Sequence, residues 1–228
     1  MKKIFTIAIL SLLIFTSNSF GDATVAYLSD HLVAHWSLKS TSLMSATVVA
    51  DEVGDNHGTL TDGAATSADY TTFDGSNDHV AVTSTAYSVH DSDYTFAFWA
   101  KLTATGSTEY VFADLTAGGA YSYIQISSIG RLVIESDTNG DSCTTTDGQI
   151  TYDTNWHHYV ITVTSGTVAM YQDAVLKNVV GDINDDDLTL SAIGELAGNN
   201  FDGLLHDIRI YNEVKDQAFI TQLYNSGE

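Results

Sequence analysis

The stretch Phe201-Asp202-Gly203-Leu204-Leu205-His206-Asp207-Ile208-Arg209-Ile210-Tyr211-Asn212 decides how this chain folds. From Leu204 its side chains alternate, with Leu204, His206, Ile208 and Ile210 expected on one face and Leu205, Asp207, Arg209 and Tyr211 on the other. A period of two over eight residues is the signature of a β-strand, and Asp202-Gly203 supplies the turn that enters it. Arg209 stands two positions from Asp207, on the same expected face, so the two charges are placed to pair. Beyond the strand, Ala218, Phe219, Gln222 and Leu223 recur at helical spacing within Glu213 to Tyr224, and Gly227 lies just past the end. A closing strand followed by one short helix reads as the end of a β-sandwich.

The preceding sequence supplies the other strands. Leu32, Ala34, Trp36 and Leu38 alternate with Val33, His35 and Ser37, and Thr71-Phe73 and His79-Val82 flank the turn Asp74-Gly75-Ser76-Asn77-Asp78. Asp93 to Lys101 is apolar on both faces, as a strand buried between two layers must be. Segments at 110–115, 121–127 and 131–136 form a meander, with turns at Gly118-Gly119 and Ile129-Gly130. Segments 156–164 and 167–172 make a hairpin across Ser165-Gly166, and 175–180 and 188–193 follow. Asp51 to Gly63 and Thr138 to Gly148 read as loops. Proline is absent, so turns fall to Gly, Asn and Asp, which tolerate positive φ. Roughly a dozen short strands and frequent turns predict an all-β, antiparallel two-sheet sandwich with a short C-terminal helix.

Five stretches, in order, carry a family resemblance: Leu32-Val33-Ala34-His35-Trp36, Asp55-Asn56-His57-Gly58-Thr59-Leu60, Phe73-Asp74-Gly75-Ser76-Asn77-Asp78-His79-Val80, Trp156-His157-His158-Tyr159-Val160, and the closing strand. Together they resemble laminin-G-like jelly rolls of the concanavalin A-like lectin/glucanase superfamily. The resemblance implies a jelly roll over roughly residues 30 to 225.

Residues 1–21 are set apart by Lys2 and Lys3, an apolar run from Ile4 to Phe15, and Ser19-Phe20-Gly21 at a cleavage-like site. They are expected to be a signal peptide, leaving a secreted domain over residues 22–228. Cys143 is the only cysteine, so the domain is expected to hold together without an internal disulfide and to keep a free thiol. Twenty-nine acids face eight bases, for a formal net charge of −21. That balance excludes nucleic acid and anionic membrane as partners, and it suits either a solvated surface in salty surroundings or divalent cations. Twenty-three of the acids are Asp, a turn former and a calcium ligand.

The superfamily includes hydrolases, whose Glu-x-Asp-x-x-Glu strand finds only a partial counterpart in Glu135-Ser136-Asp137-Thr138-Asn139-Gly140. Without a second carboxylate in place, the acid and base pair of a glycosidase is incomplete. The resemblance also implies a structural Ca2+ at the sandwich edge, held by Asp51, Asn56 of the Asn56-His57 loop, and Asp207. Asp182-x-Asn184-x-Asp186 and Asp137-x-Asn139-x-Asp141 fail as calcium loops, lacking the glycine and the bidentate acid. His157 and His158, adjacent on a strand, point to opposite faces and are not read as a zinc pair. Tyr121 and Tyr123 share a strand face, with Tyr110 on a neighbouring strand, and form the candidate sugar-stacking platform. Trp36, Trp99 and Trp156 are expected in the core. The expectation is a secreted, non-catalytic recognition module for carbohydrate. A structural protein of an envelope, appendage or virion surface is the alternative, with a glycoside hydrolase or polysaccharide lyase behind it.

Overall fold

The computed structural model describes residues 27–89, 91–114, 122–136, 142–181, 183 and 187–227. The chain divides into two compact units, Met1–Asp30 and His31–Glu228, and the second is the sandwich. The expected signal segment, residues 1–21, lies outside the described residues, as do Tyr121 and the loop positions Asp137, Asn139, Asp141, Asp182, Asn184 and Asp186.

Two large antiparallel sheets face each other. The first runs, in spatial order, Val175–Val180, Thr167–Gln172, His157–Thr164, Tyr94–Leu102, Asp202–Tyr211, Thr71–Asp74 and Ala65–Thr66. Leu32–Trp36 also pairs with the closing strand Asp202–Tyr211. The second runs Ser142–Thr144, Leu132–Glu135, Tyr123–Ile126, Glu109–Ala113, Leu188–Ile193, His79–Tyr87, Gly58–Thr61, Val48–Val49 and Leu43–Ser45. Segments expected as loops therefore contribute Gly58–Thr61 and Ser142–Thr144, both too short to show a pattern in sequence. Cys143 is buried on the latter strand outside any disulfide, its thiol donating to the Gly181 carbonyl at 3.4 Å.

The core lies where the inner faces meet. Trp36, Phe73, Phe96, Phe98, Phe112, Ile124, Tyr159, Ile161, Ile208 and Ile210 all belong to it. Phe98 stacks on Tyr159 with ring centroids 5.3 Å apart and meets Phe112 edge-on at 6.3 Å. Each large side chain buried here contributes about 1.5–3 kcal/mol by leaving water. Gly203 has a structural reason: a β-carbon there would run into the carbonyl oxygen of Lys101 on the paired strand.

The closing strand departs from strict alternation. His206 pairs with Trp99 and Arg209 with Ala97, so three steps on one strand match two on the other. The extra residue is a β-bulge, with Asp207 at φ +52°. Leu205, Ile208 and Ile210 consequently all face the core, while His206 points outward. The expected grouping of His206 with Ile208 and Ile210 is corrected on this ground. Asp is among the few non-glycine residues that accept this backbone, so the bulge left no glycine signal.

A helix over Gln217–Ser226 covers the outer face of the first sheet, burying Phe219, Ile220 and Leu223. Asp216 caps it, its carboxylate accepting from the Phe219 N–H at 2.8 Å. Thr95 ties the approach down, donating through Oγ1 to the Glu213 carbonyl at 2.8 Å and accepting from the Lys215 N–H at 3.0 Å. Tyr211 meets Phe219 edge-on at 5.3 Å beneath the helix.

Candidate functional site

Beside that helix the outer face carries a cluster of rings. Trp99, His158 and His206 come from three neighbouring strands in register, so their side chains emerge side by side. His206 lies parallel to Trp99 (5.7 Å, 6°), as does Tyr224 from the helix (5.5 Å, 18°). Trp156 stands edge-on to His206 at 4.8 Å, and Tyr70 flanks Trp156 at 5.9 Å. Together with Lys39 and Asp69 these rings, apart from His158, line a cavity of about 510 Å³. Gly227 closes it on the helix side, where a β-carbon would run into the Trp99 indole nitrogen.

The imidazoles here are neutral. Burial pushes His158 and His206 down to about 4, and Lys39 near His206 adds to the effect. Next to His158, His157 titrates the other way, raised by hydrogen bonds to Asp173 (2.7 Å) and Asp153 (3.1 Å). The two histidines do face opposite sides: His158 meets Trp99, and His157 lies against Tyr159 of the core.

Of the three tryptophans expected in the core, Trp36 is there. Trp99 is buried, but on the outer face beneath the helix end, and Trp156 is half-buried in the cavity wall. Their strand motifs placed them in the core, and although the short helix was expected, its sequence does not say which face of which sheet it covers.

A second, polar trough of about 320 Å³ adjoins the first and shares Lys39, His206 and Gly227 with it. Its floor is the bulge. The Asp207 carboxylate, buried on its own account, is held well below the usual range by a hydrogen bond to His35 (2.8 Å) and by Arg209 (2.8 Å).

Asp51 and Asn56 are bonded to each other, whereas Asp207 is linked to them only through His35, whose backbone reaches Asp51 and whose ring reaches Asp207. Asp51 Oδ1 accepts from the His35 and Val53 N–H groups at 3.0 and 3.1 Å, and Oδ2 from the Asn56 N–H at 3.4 Å. Asn56 Oδ1 accepts from the Thr83 N–H at 2.7 Å, while its carbonyl accepts from the Trp36 indole at 2.8 Å. A calcium ion would have to displace these donors, and the Arg209 guanidinium beside Asp207 adds repulsion. The donor set does not fit the ion as folded.

Tyr110 and Tyr123 do come together, edge-on at 5.3 Å, on the outer face of the second sheet. The Tyr123 hydroxyl donates to Glu135, whose carboxylate is thereby engaged. Tyr121, the third expected member, lies outside the described residues.

Residues 45–221 match a laminin-G-like model described as the Concanavalin A-like lectin/glucanases superfamily, and the chain belongs to that superfamily. Among solved structures, domain 4 of AbnA, a GH43 extracellular arabinanase from Geobacillus stearothermophilus in complex with arabinotriose, is 18% identical with a TM-score of 0.60. The match covers 85% of this chain and 98% of that one. The botulinum neurotoxin serotype D ligand binding domain, in complex with N-acetylneuraminic acid, is 16% identical with a TM-score of 0.66, covering 89% of this chain and 52% of that one. Trypanosoma rangeli sialidase is 14% identical at a TM-score of 0.62, covering 86% and 32%. This chain thus spans about half of the toxin domain and a third of the sialidase. No curated protein sequence matches significantly.

Proposed function

We propose that this member of the concanavalin A-like lectin/glucanase superfamily is a secreted, non-catalytic module that binds carbohydrate in the cavity walled by Trp156, Tyr70 and Tyr224. One observation carries the reading: flat ring faces and polar groups, Lys39 and Asp69, line one concave space of about 510 Å³. Sugars present an apolar C–H face and a hydroxyl rim, and a pocket of this size and mixed lining suits them. Similarity to domains solved with arabinotriose and N-acetylneuraminic acid supports the same class of ligand. Residues 1–21 supply the export signal in this reading. Among the described residues, no helix is long and apolar enough to cross a membrane.

The test is a glycan array probed with the chain from Asp22 and with its Trp156→Ala variant, followed by a turnover assay on each glycan retained. Retention by the parent, loss by the variant and no cleavage support the reading. Retention that survives the substitution moves the site elsewhere, and cleavage makes the protein an enzyme. A protein-contact role has one observation in its favour, the exposed Val175, Leu176 and Val179 on the edge strand Val175–Val180. Self-association in sedimentation that Val179→Lys abolishes, with an empty array, would select it.

A further inference from the structure

Lys39 stands out in the electrostatics of the site. Six basic residues follow the leader: Arg131, Arg209 and Lys215 each pair with an acid, while Lys39, Lys101 and Lys177 make no ion pair among the described residues, and of these three only Lys39 lines the aromatic cavity. Lys39 is half-buried yet has no ion-pair partner among the described residues, in a chain carrying 29 acids. It lines both the aromatic cavity and the adjoining polar trough, where Arg209 is already paired with Asp207 and Glu52 lies against His35, so Lys39 is the cation left to a ligand. Asp69, on the wall of the same cavity, likewise makes no side-chain ion pair among the described residues, Lys39 included. Both charges bear on His206 between them, with opposite effect. An ammonium that no acid of the chain neutralises is open to a charge-assisted hydrogen bond from an anion arriving from outside.

We infer that the cavity and trough together select a carboxylate-bearing saccharide, with its ring on Trp156, its carboxylate on Lys39 and its hydroxyls on Asp69. The inference rests on the carbohydrate reading and deepens it. A neutral sugar offers Lys39 no counter-charge, whereas an acidic one meets a cation and a hydroxyl acceptor within the same cavity. The combined space, about 510 and 320 Å³, accommodates more than one sugar ring. The carboxylate has two natural sources, a uronate within a polysaccharide or a terminal sialic acid, and both present the same anion to Lys39.

Titration calorimetry on the purified protein separates the outcomes. The probes are a trigalacturonate and a sialyllactose, each beside its carboxyl-reduced form. At least one acid form is expected to bind tenfold or more tightly than its reduced partner, and the acid that does so identifies the source. Lys39→Met, which keeps the aliphatic stem, is expected to erase that preference while its melting temperature stays near the parent's. Equal affinity for acid and reduced forms overturns the inference and leaves carbohydrate binding standing. So does a preference that survives Lys39→Met. Binding of neither acid, with neutral glycans still retained through Trp156, also overturns it alone. Binding of no glycan at all overturns both readings.

Discussion

The outer faces of the two sheets carry the same raw material and put it to different use. Each has an aromatic pair beside a bulge: Trp99 and His206 next to Asp207 on the first sheet, Tyr110 and Tyr123 next to Val111 on the second. On the second sheet the rings satisfy one another and the Tyr123 hydroxyl finds Glu135. On the first, the helix Gln217–Ser226 lays Tyr224 alongside Trp99, and Trp156 and Tyr70 complete a wall around a concave space. Aromatic content alone therefore does not mark a site. What matters is whether a second element turns a flat face into a cavity and leaves polar groups there to be satisfied.

The largest effect that would break this contrast comes from the bulge. Asp207→Ala leaves Arg209 without its buried carboxylate and places an unsuited residue at φ +52°. A loss of about 3–5 kcal/mol in urea unfolding is expected. Asp207→Asn, which tolerates the backbone and keeps a hydrogen-bond acceptor, should lose less.

Acidification comes next. His158 and His206 hold folded values of about 4 against an ordinary 6.5, so the unfolded chain takes up their protons first. Their contribution is whole above pH 6.5 and is lost progressively as the pH falls toward 4, on the order of a few kcal/mol. His157 has the opposite sign. Its contribution is present below 6.5 and disappears as the pH rises through its raised value. Asp207, depressed from 3.8, adds its own loss only below that pH. Melting followed from pH 8 to 4 should fall through this window, and His158→Gln should flatten the slope.

Smaller effects sharpen the other side. Tyr123→Phe removes one hydroxyl from a half-exposed pair and is expected to change stability by no more than about 1 kcal/mol, read by the same unfolding assay. Chelator is expected to leave the melting temperature unchanged, because the oxygens of Asp51, Asn56 and Asp207 are engaged by protein donors. A drop of several degrees on chelation would restore the calcium edge.

Much of the fold was legible because alternation is written directly into the strands. Ala34, Trp36 and Leu38 face the core as their spacing requires, and the hairpin across Ser165-Gly166 falls where its turn predicts. The closing strand misled after Leu205 because one Asp at positive φ shifts every later side chain by one step. Strands of two to four residues, such as Gly58–Thr61, are too short for a period to declare itself. The site was harder to read for a different reason. Its walls come from positions 39, 69, 70, 99, 156, 206, 224 and 227, which only the folded sheet and helix bring together. The pair Tyr110 and Tyr123 was found because neighbouring strands of a meander are adjacent in sequence as well as in space.

One paired measurement decides between the two faces: affinity electrophoresis in a retained glycan of Trp156→Ala beside the double variant Tyr110→Ala/Tyr123→Ala. Loss of retardation in Trp156→Ala by tenfold or more, with the double variant unchanged, is the expected result. Retardation abolished in the double variant and kept in Trp156→Ala would place the site on the second sheet and contradict it.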